Sequence, residues 1–158
     1  MSKTYIIDGN SLLFRAFYAL FRPGVELMHS KDGTPTNAIY SFKNMMQKIK
    51  SELSDNDKMI VCFDTDSKTF RSKELETYKK NRKPLEPALK VQLPLARKLL
   101  DAMGIFYYEL PGYEGDDIAG SLAKYAARLG DEVTLFTSDK DFLQLLDDNI
   151  VVKFLRKG

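Results

Sequence analysis

The sequence predicts an α/β fold: a central, mostly parallel, twisted sheet with helices on both faces. Three observations carry that expectation. Short apolar runs alternate with stretches whose apolar residues recur at helical spacing. One of the runs, Met59-Ile60-Val61-Cys62-Phe63, is unbroken, as in a strand covered on both sides. Several of the runs are followed at once by an acid, so that Asp8, Asp64 and Asp139 each stand where a strand ends. At 158 residues with ordinary apolar content, the chain is about one domain long and able to bury a core.

Taken in order, Tyr5-Ile6-Ile7 reads as the first strand, and Gly9 gives it a tight exit. Asn10 or Ser11 is available to cap a helix whose apolar face is Leu12, Leu13, Ala16, Phe17 and Leu20. Pro23, Gly24 and Gly33 mark residues 21–35 as a loop, and the lone histidine in it, His29, reads as a solvated side chain. A second helix is expected from about Thr36 through Ile39, Phe42, Met45, Met46 and Ile49. After the Met59 to Phe63 strand comes a basic block in which Lys68, Arg71, Lys73, Lys79, Lys80, Arg82, Lys83 and Lys90 outnumber the acids, closed by Pro84 and Pro87. Leu89, Leu93, Ala96, Leu100 and Met103 predict one helix stopped by Gly104. Residues 105–110 form the third strand, and a helix with apolar face Ile118, Leu122, Tyr125 and Leu129 follows. A fourth strand is expected over 133–137, a helix through Phe142, Leu145 and Leu146, and a fifth strand over 150–154.

Composition excludes several classes. Lysine and arginine total 24 against 22 acids, so the overall charge is uninformative and segregation along the chain matters instead. No apolar stretch approaches the ~20 residues of a membrane span, and no signal peptide precedes the first strand, which reads as a cytoplasmic protein. The single cysteine, Cys62, excludes an internal disulfide and a thiolate cluster; within an apolar strand it reads as a buried structural thiol.

The acids carry the chemistry. Glu114, Asp116 and Asp117 fall within four positions ahead of a helix. One such residue suits the positive end of a helix dipole, but three are more than capping requires. Two unit charges ~4 Å apart repel by about 4 kcal/mol at an effective dielectric near 20, so gathering them implies a cation. In a parallel sheet all carboxyl strand ends share one edge, where open α/β folds place ligands. Asp8, Asp64, Glu114, Asp116, Asp117, Asp139 and Asp141 map there with no histidine or thiolate among them. All-oxygen donors select magnesium or manganese, and a group this acidic can hold two ions ~4 Å apart, the arrangement suited to attack of water on a phosphodiester. The basic block then offsets the repulsion between that edge and nucleic acid.

The residues also resemble a known family. Ile7-Asp8-Gly9-Asn10-Ser11 with Arg15-Ala16-Phe17, Phe63-Asp64 with Lys68-Thr69-Phe70-Arg71, Tyr78-Lys79 with Arg82, Gly112 to Asp117, and Ser138-Asp139-Lys140-Asp141 together resemble the amino-terminal half of the bacterial 5′ nuclease domain. This is the flap endonuclease and 5′-to-3′ exonuclease family found alone or at the front of DNA polymerase I. The resemblance implies a PIN-like, resolvase-like fold over residues 1–158 in which Asp8, Asp64, Glu114, Asp116, Asp117, Asp139 and Asp141 support two divalent metals, Mg2+ or Mn2+. It implies an arch or gateway at about residues 66–90, where Lys79 and Arg82 act on the scissile phosphate and Tyr78, Lys68, Arg71, Lys80 and Lys83 contact a single-stranded 5′ end. Arg15 is a further phosphate contact. The expected partner is DNA with a 5′ single-stranded end or flap, with RNA in RNA–DNA hybrids left open. The family continues with a helix-hairpin-helix clamp and a further acidic ligand, expected beyond Gly158, so reduced or absent activity is expected of these residues alone. Two rivals stand beside this reading. Phe63-Asp64-Thr65-Asp66-Ser67 looks like the nucleophile motif of haloacid-dehalogenase-type phosphatases, and the basic block also suits a nucleic-acid-binding module without chemistry.

Overall fold

The computed structural model describes residues 2–64, 86–109, 115–137 and 150–154, with backbone alone at 115–117 and 154. Along the chain these form β1 (Lys3–Asp8), α1 (Gly9–Ala19), α2 (Asn37–Ser51), β2 (Lys58–Cys62), α3 (Pro87–Lys90), α4 (Leu93–Met103), β3 (Phe106–Tyr108), α5 (Gly115–Arg128), β4 (Glu132–Thr137) and β5 (Ile150–Phe154). The five strands are parallel in the order β3-β2-β1-β4-β5, so the first strand of the chain is the centre of the sheet. Register sets Asp8 opposite Cys62 and Ile7 opposite both Val61 and Phe136. The helix expected through Phe142 to Leu146 lies outside the described residues.

Strand alternation sorts the core onto two faces. Tyr5, Ile7, Val61, Phe63 and Phe136 pack with Leu12, Leu13, Ala16, Phe42, Met46, Ala96 and Leu100 from α1, α2 and α4. Ile6, Cys62, Val133, Leu135 and Ile150 turn the other way, onto α5. Each large apolar side chain buried in these layers contributes about 1.5–3 kcal/mol.

Three local expectations are corrected. The buried stripe of α5 runs through Ile118, Ala119, Ala123 and Ala126, while Tyr125 and Leu129 are each 62% exposed. Small residues let this helix lie close on the sheet, and the period that included Tyr125 and Leu129 followed size instead of burial. The helix expected from Leu89 to Met103 is broken at Val91 and Gln92 into α3 and α4. Pro94, in the first turn of α4, has no N–H to give the carbonyl of Lys90 and so interrupts the helix, and the fully buried Gln92 uses the junction. Its Oε1 accepts from Ala38 N (2.9 Å) and Ile39 N (3.1 Å), while Nε2 donates to Asn37 Oδ1 (3.0 Å) and Ala88 O (2.8 Å). The Asn37 side chain in turn donates to Phe17 O at 2.9 Å. Helix α2 therefore has two of its orphan first-turn N–H groups satisfied from a distant segment, while its N-cap, Thr36, makes no side-chain cap bond. The third correction concerns α1, which begins at Gly9 with Asp8 as its N-cap, so neither Asn10 nor Ser11 caps it through its side chain.

At the amino edge of the sheet, carboxylates act as fasteners. Asp57 accepts from Lys3 N (2.9 Å), Ser54 N (2.9 Å) and Ser54 Oγ (3.0 Å), and the N–H of Ser54, then that of Lys3, hold its carboxyl below the usual range. Asp131 accepts from Ser2 Oγ (3.2 Å) and Thr4 Oγ1 (3.0 Å). Gly104, at φ 70°, closes α4 as expected.

Candidate metal centre

The carboxyl edge is built around Asp8. This residue ends the central strand, caps α1 and is only 6% exposed. Its Oδ2 accepts from Thr137 Oγ1 at 2.9 Å, and its Oδ1 from Ser11 N at a long 3.5 Å. Thr137, wholly buried, closes β4 beside it. Hydrogen bonds spread a buried carboxylate charge without cancelling it, and a counter-charge is what makes such burial affordable. Asp8 follows the alternation of Ile6 and so lies on the α5 side of the sheet.

Asp64 reaches the same edge two residues beyond β2. Phe63 N donates to Tyr108 O (3.0 Å), and Asp64 N donates to Asn10 Oδ1 (2.9 Å), so the side chain of Asn10 ties the start of α1 to the exit from β2. Gly9 is the reason the two segments come this close: a Cβ there would stand 2.5 Å from the Phe63 ring and 2.8 Å from Val61 Cγ1. The Asp64 carbonyl accepts from Arg97 Nη2 at 3.1 Å.

Cys62, opposite Asp8, is the buried structural thiol expected; burial first, and the Asp8 charge second, push it up to about 12. It stays protonated at neutral pH and is no thiolate ligand. His29 is exposed in its loop, with Nδ1 3.0 Å from Leu27 O and 3.6 Å from Glu26 Oε1. The donors at this edge are thus oxygens, which fit a hard divalent cation.

Asp8 and Asp64 are the predicted acids whose side chains are described, and they share one edge. The first turn of α5 carries Asp116 and Asp117, and its next residues, Ile118 and Ala119, pack with Ile6 and Cys62 on the Asp8 side. Glu114, Asp139 and Asp141 lie outside the described residues, as do Lys68, Arg71, Tyr78, Lys79, Lys80, Arg82 and Lys83. Among the described residues no three His, Cys, Asp or Glu side chains gather into a metal-sized group. Arg15 is half-buried on α1, next in sequence to Phe14, which is 50% exposed and meets the Tyr18 ring at 4.8 Å in a tilted contact.

Residues 3–157 match the 5′-3′ exonuclease N-terminal, resolvase-like domain. The chain belongs to this family. Among relatives of the 5′-3′ exonuclease family, the DNA polymerase I of Caldicellulosiruptor bescii is 44% identical over 153 residues, which cover 97% of this chain and 17% of the polymerase. The 5′-3′ exonuclease of Aquifex aeolicus is 40% identical over 153 residues, covering 96% of this chain and 50% of its own length. A bacteriophage T5 flap endonuclease, solved as a pseudo-enzyme–product complex with DNA and metal ions, aligns with TM-score 0.62 at 25% identity over 95% of this chain and 54% of that one. The chain therefore spans about half or less of the length of these relatives. The resolvase-like fold expected from the sequence is the fold observed, and family membership sets aside the phosphatase reading of Phe63 to Ser67.

Sequence reasoning passed over Asn10 as an anchor for Asp64, Thr137 as a partner of Asp8, and Arg97. For Arg97 a signal existed: it stands four residues after Leu93 and three before Leu100, where a charge interrupts an apolar stripe.

Proposed function

We propose that this chain forms the metal-binding part of a 5′ nuclease, which hydrolyses phosphodiester bonds at 5′ ends or 5′ flaps of DNA during replication and repair. The observation that carries this reading is Asp8, a nearly buried carboxylate at the end of the central strand, with Asp64 tied to the same edge through Asn10. Its kinship with a 5′-3′ exonuclease and with a flap endonuclease solved with DNA and metal ions supports the substrate class.

Asp8, Asp64, Glu114, Asp116, Asp117, Asp139 and Asp141 are the residues that would hold Mg2+ or Mn2+, as two ions. Bound there, the ions supply Lewis acidity toward phosphoryl oxygens and lower the pKa of an attacking water. Thr137 holds Oδ2 of the Asp8 carboxylate, and Asn10 holds the Asp64 peptide. Lys79 and Arg82 grip the scissile phosphate; Lys68, Arg71, Tyr78, Lys80, Lys83 and Arg15 follow the strand leading to it. Phe14 and Tyr18, exposed beside Arg15, offer ring faces on which bases stack. An arch at about residues 66–90 is part of this reading; at its far end Leu89 packs with Phe17 and Ala38. Among the described residues no helix is long and apolar enough to cross a membrane, which fits work on DNA in the cytoplasm.

A binding module with the same basic block is the rival, and one substitution separates the two. Using the natural full-length protein and a 5′-flap DNA, EDTA abolishes cleavage, Mg2+ or Mn2+ restores it, and Asp116→Asn removes cleavage while DNA affinity is retained or rises. Cleavage that survives EDTA, or that Asp116→Asn leaves intact, overturns the proposal.

A further inference from the structure

Strand β2 ends at Cys62, so the sheet ladder does not reach Asp64. Beyond a strand end a peptide plane turns at little cost, and with it the direction of the side chain. Productive ligand sites are held to roughly 0.5 Å and 10–20° by the groups behind them. Among the described residues, two side chains bond to the Asp64 main chain: Asn10 Oδ1 takes the N–H at 2.9 Å, and Arg97 Nη2 donates to the C=O at 3.1 Å.

The remaining bonds of Arg97 fix the guanidinium itself. Nη1 donates to Leu93 O at 2.8 Å, one turn back on α4, and Nη2 also meets Glu109 Oε2 at 3.1 Å. The central carbon of the group lies over the Phe63 ring, 4.3 Å from its centroid. A planar fork that serves three acceptors while resting on an aromatic face is a task for arginine and not for lysine. Only 20% of the Arg97 side chain is exposed. Its contact with Glu109 alone would be an ordinary, partly exposed ion pair of little weight; the bond to the Asp64 carbonyl is what sets it apart.

We infer that Arg97 is a positioning residue for Asp64, pinning its peptide so that the carboxylate is aimed at the metal edge. The inference rests on the proposed role of Asp64 as a cation ligand. Outer partners of metal ligands typically carry about 10–100-fold in metal affinity or activity, which sets the size of the effect.

The test uses the natural full-length protein and its Arg97→Ala, Arg97→Lys and Glu109→Gln variants. Mn2+ binding is read from loss of the free-ion electron paramagnetic resonance signal, and flap cleavage is measured across a Mn2+ series. DNA affinity in EDTA and thermal melting are followed alongside. Arg97→Ala is expected to weaken Mn2+ binding and to raise the half-saturating Mn2+ for cleavage, each about 10-fold. Arg97→Lys recovers part of the loss, and Glu109→Gln stays within about two-fold of the parent because it leaves the bond to Asp64 in place. DNA affinity in EDTA stays within about two-fold throughout, as it must if Arg97 is not itself a phosphate contact. Unchanged Mn2+ binding in a folded Arg97→Ala protein overturns the inference, as does an equal loss in Glu109→Gln or a fall in DNA affinity that accounts for the lost cleavage. If melting shows that Arg97→Ala does not fold, Arg97→Lys decides: weaker Mn2+ binding at unchanged DNA affinity supports the role, and parent-like binding overturns it. A parent that cleaves with Mn2+ while the variants bind it normally removes only the role of Arg97. A parent that neither binds Mn2+ nor cleaves removes the proposed function as well.

Discussion

The two edges of the sheet use the same residue for opposite ends. At the amino edge Asp57 and Asp131 are themselves the fasteners, taking bonds from Lys3, Ser54, Ser2 and Thr4 that stitch turns to strands. At the carboxyl edge the fastening falls mainly to other groups: Asp8 caps α1 only through a long 3.5 Å bond while Thr137 holds its other oxygen, and Asn10 and Arg97 hold the peptide of Asp64. A carboxylate that serves as a clasp is spent on the fold; one that is itself clasped is kept at a chosen place for something else. Replacing acids by their amides at either edge is therefore the direct way to break the comparison.

The largest contrast is expected between Asp8→Asn and Asp57→Asn. Asp8→Asn should lower flap cleavage by more than the roughly 10–100-fold typical of an outer partner, with the melting temperature nearly unchanged. Asp57→Asn should do the reverse, lowering the melting temperature and leaving cleavage alone. The pH dependence of stability sharpens this. The Asp57 carboxyl is held below its ordinary value of 3.8, so its contribution is complete above that pH and is lost as pH falls through the lowered native value. The parent should thus lose stability on acidification more steeply than Asp57→Asn, as measured by melting temperature between neutral pH and about pH 3.

Next in size is Gly9→Ala. The new methyl would meet the Phe63 ring and Val61, overpacking that costs about 1–3 kcal/mol and displaces the segment leading into Asp64. Both stability, by denaturant titration, and cleavage should fall, joining what the amide substitutions separate. The smallest effect is expected of Thr137→Val, which keeps the shape and removes the donor to Asp8 Oδ2. Cleavage should drop toward the lower, ~10-fold end of the range for outer partners, with no change in DNA affinity in EDTA.

Much of this was legible in the sequence. Strands β1, β2 and β4 announce themselves as apolar runs bounded by turns or acids, and a parallel sheet leaves one edge for all their carboxyl ends. Asp8 and Asp64 could therefore be placed together without seeing either. What stayed hidden depends on side chains that reach across the chain. The amide of Gln92 is used 54 residues away at Ala38 N, which no local periodicity reports, whereas the helix break beside it is marked by Pro94. Asn10, next to a helix start, looked like a cap but bonds to Asp64 instead. Tyr125 and Leu129 keep helical spacing yet face outward, because alanines make the closer fit to the sheet.

The position of β1 has a consequence for how the protein comes into being. Strand β1 sits in the middle, and its partners follow well along the chain: Lys58 to Cys62 on one side, Glu132 to Thr137 on the other. Pairings this far apart in sequence are slow to close, since the chain must surrender loop entropy before they repay it. The bond from Thr137 to Asp8 spans 129 residues. During synthesis, then, β1 can pair with β2 once Cys62 exists but keeps its other side open until β4 is made, and the acid at its tip gains its Thr137 partner only at that point. A nascent chain halted before β4 should present that open side of β1 to chaperones, with the Asp8 carboxylate held by its cap on α1 but not by Thr137.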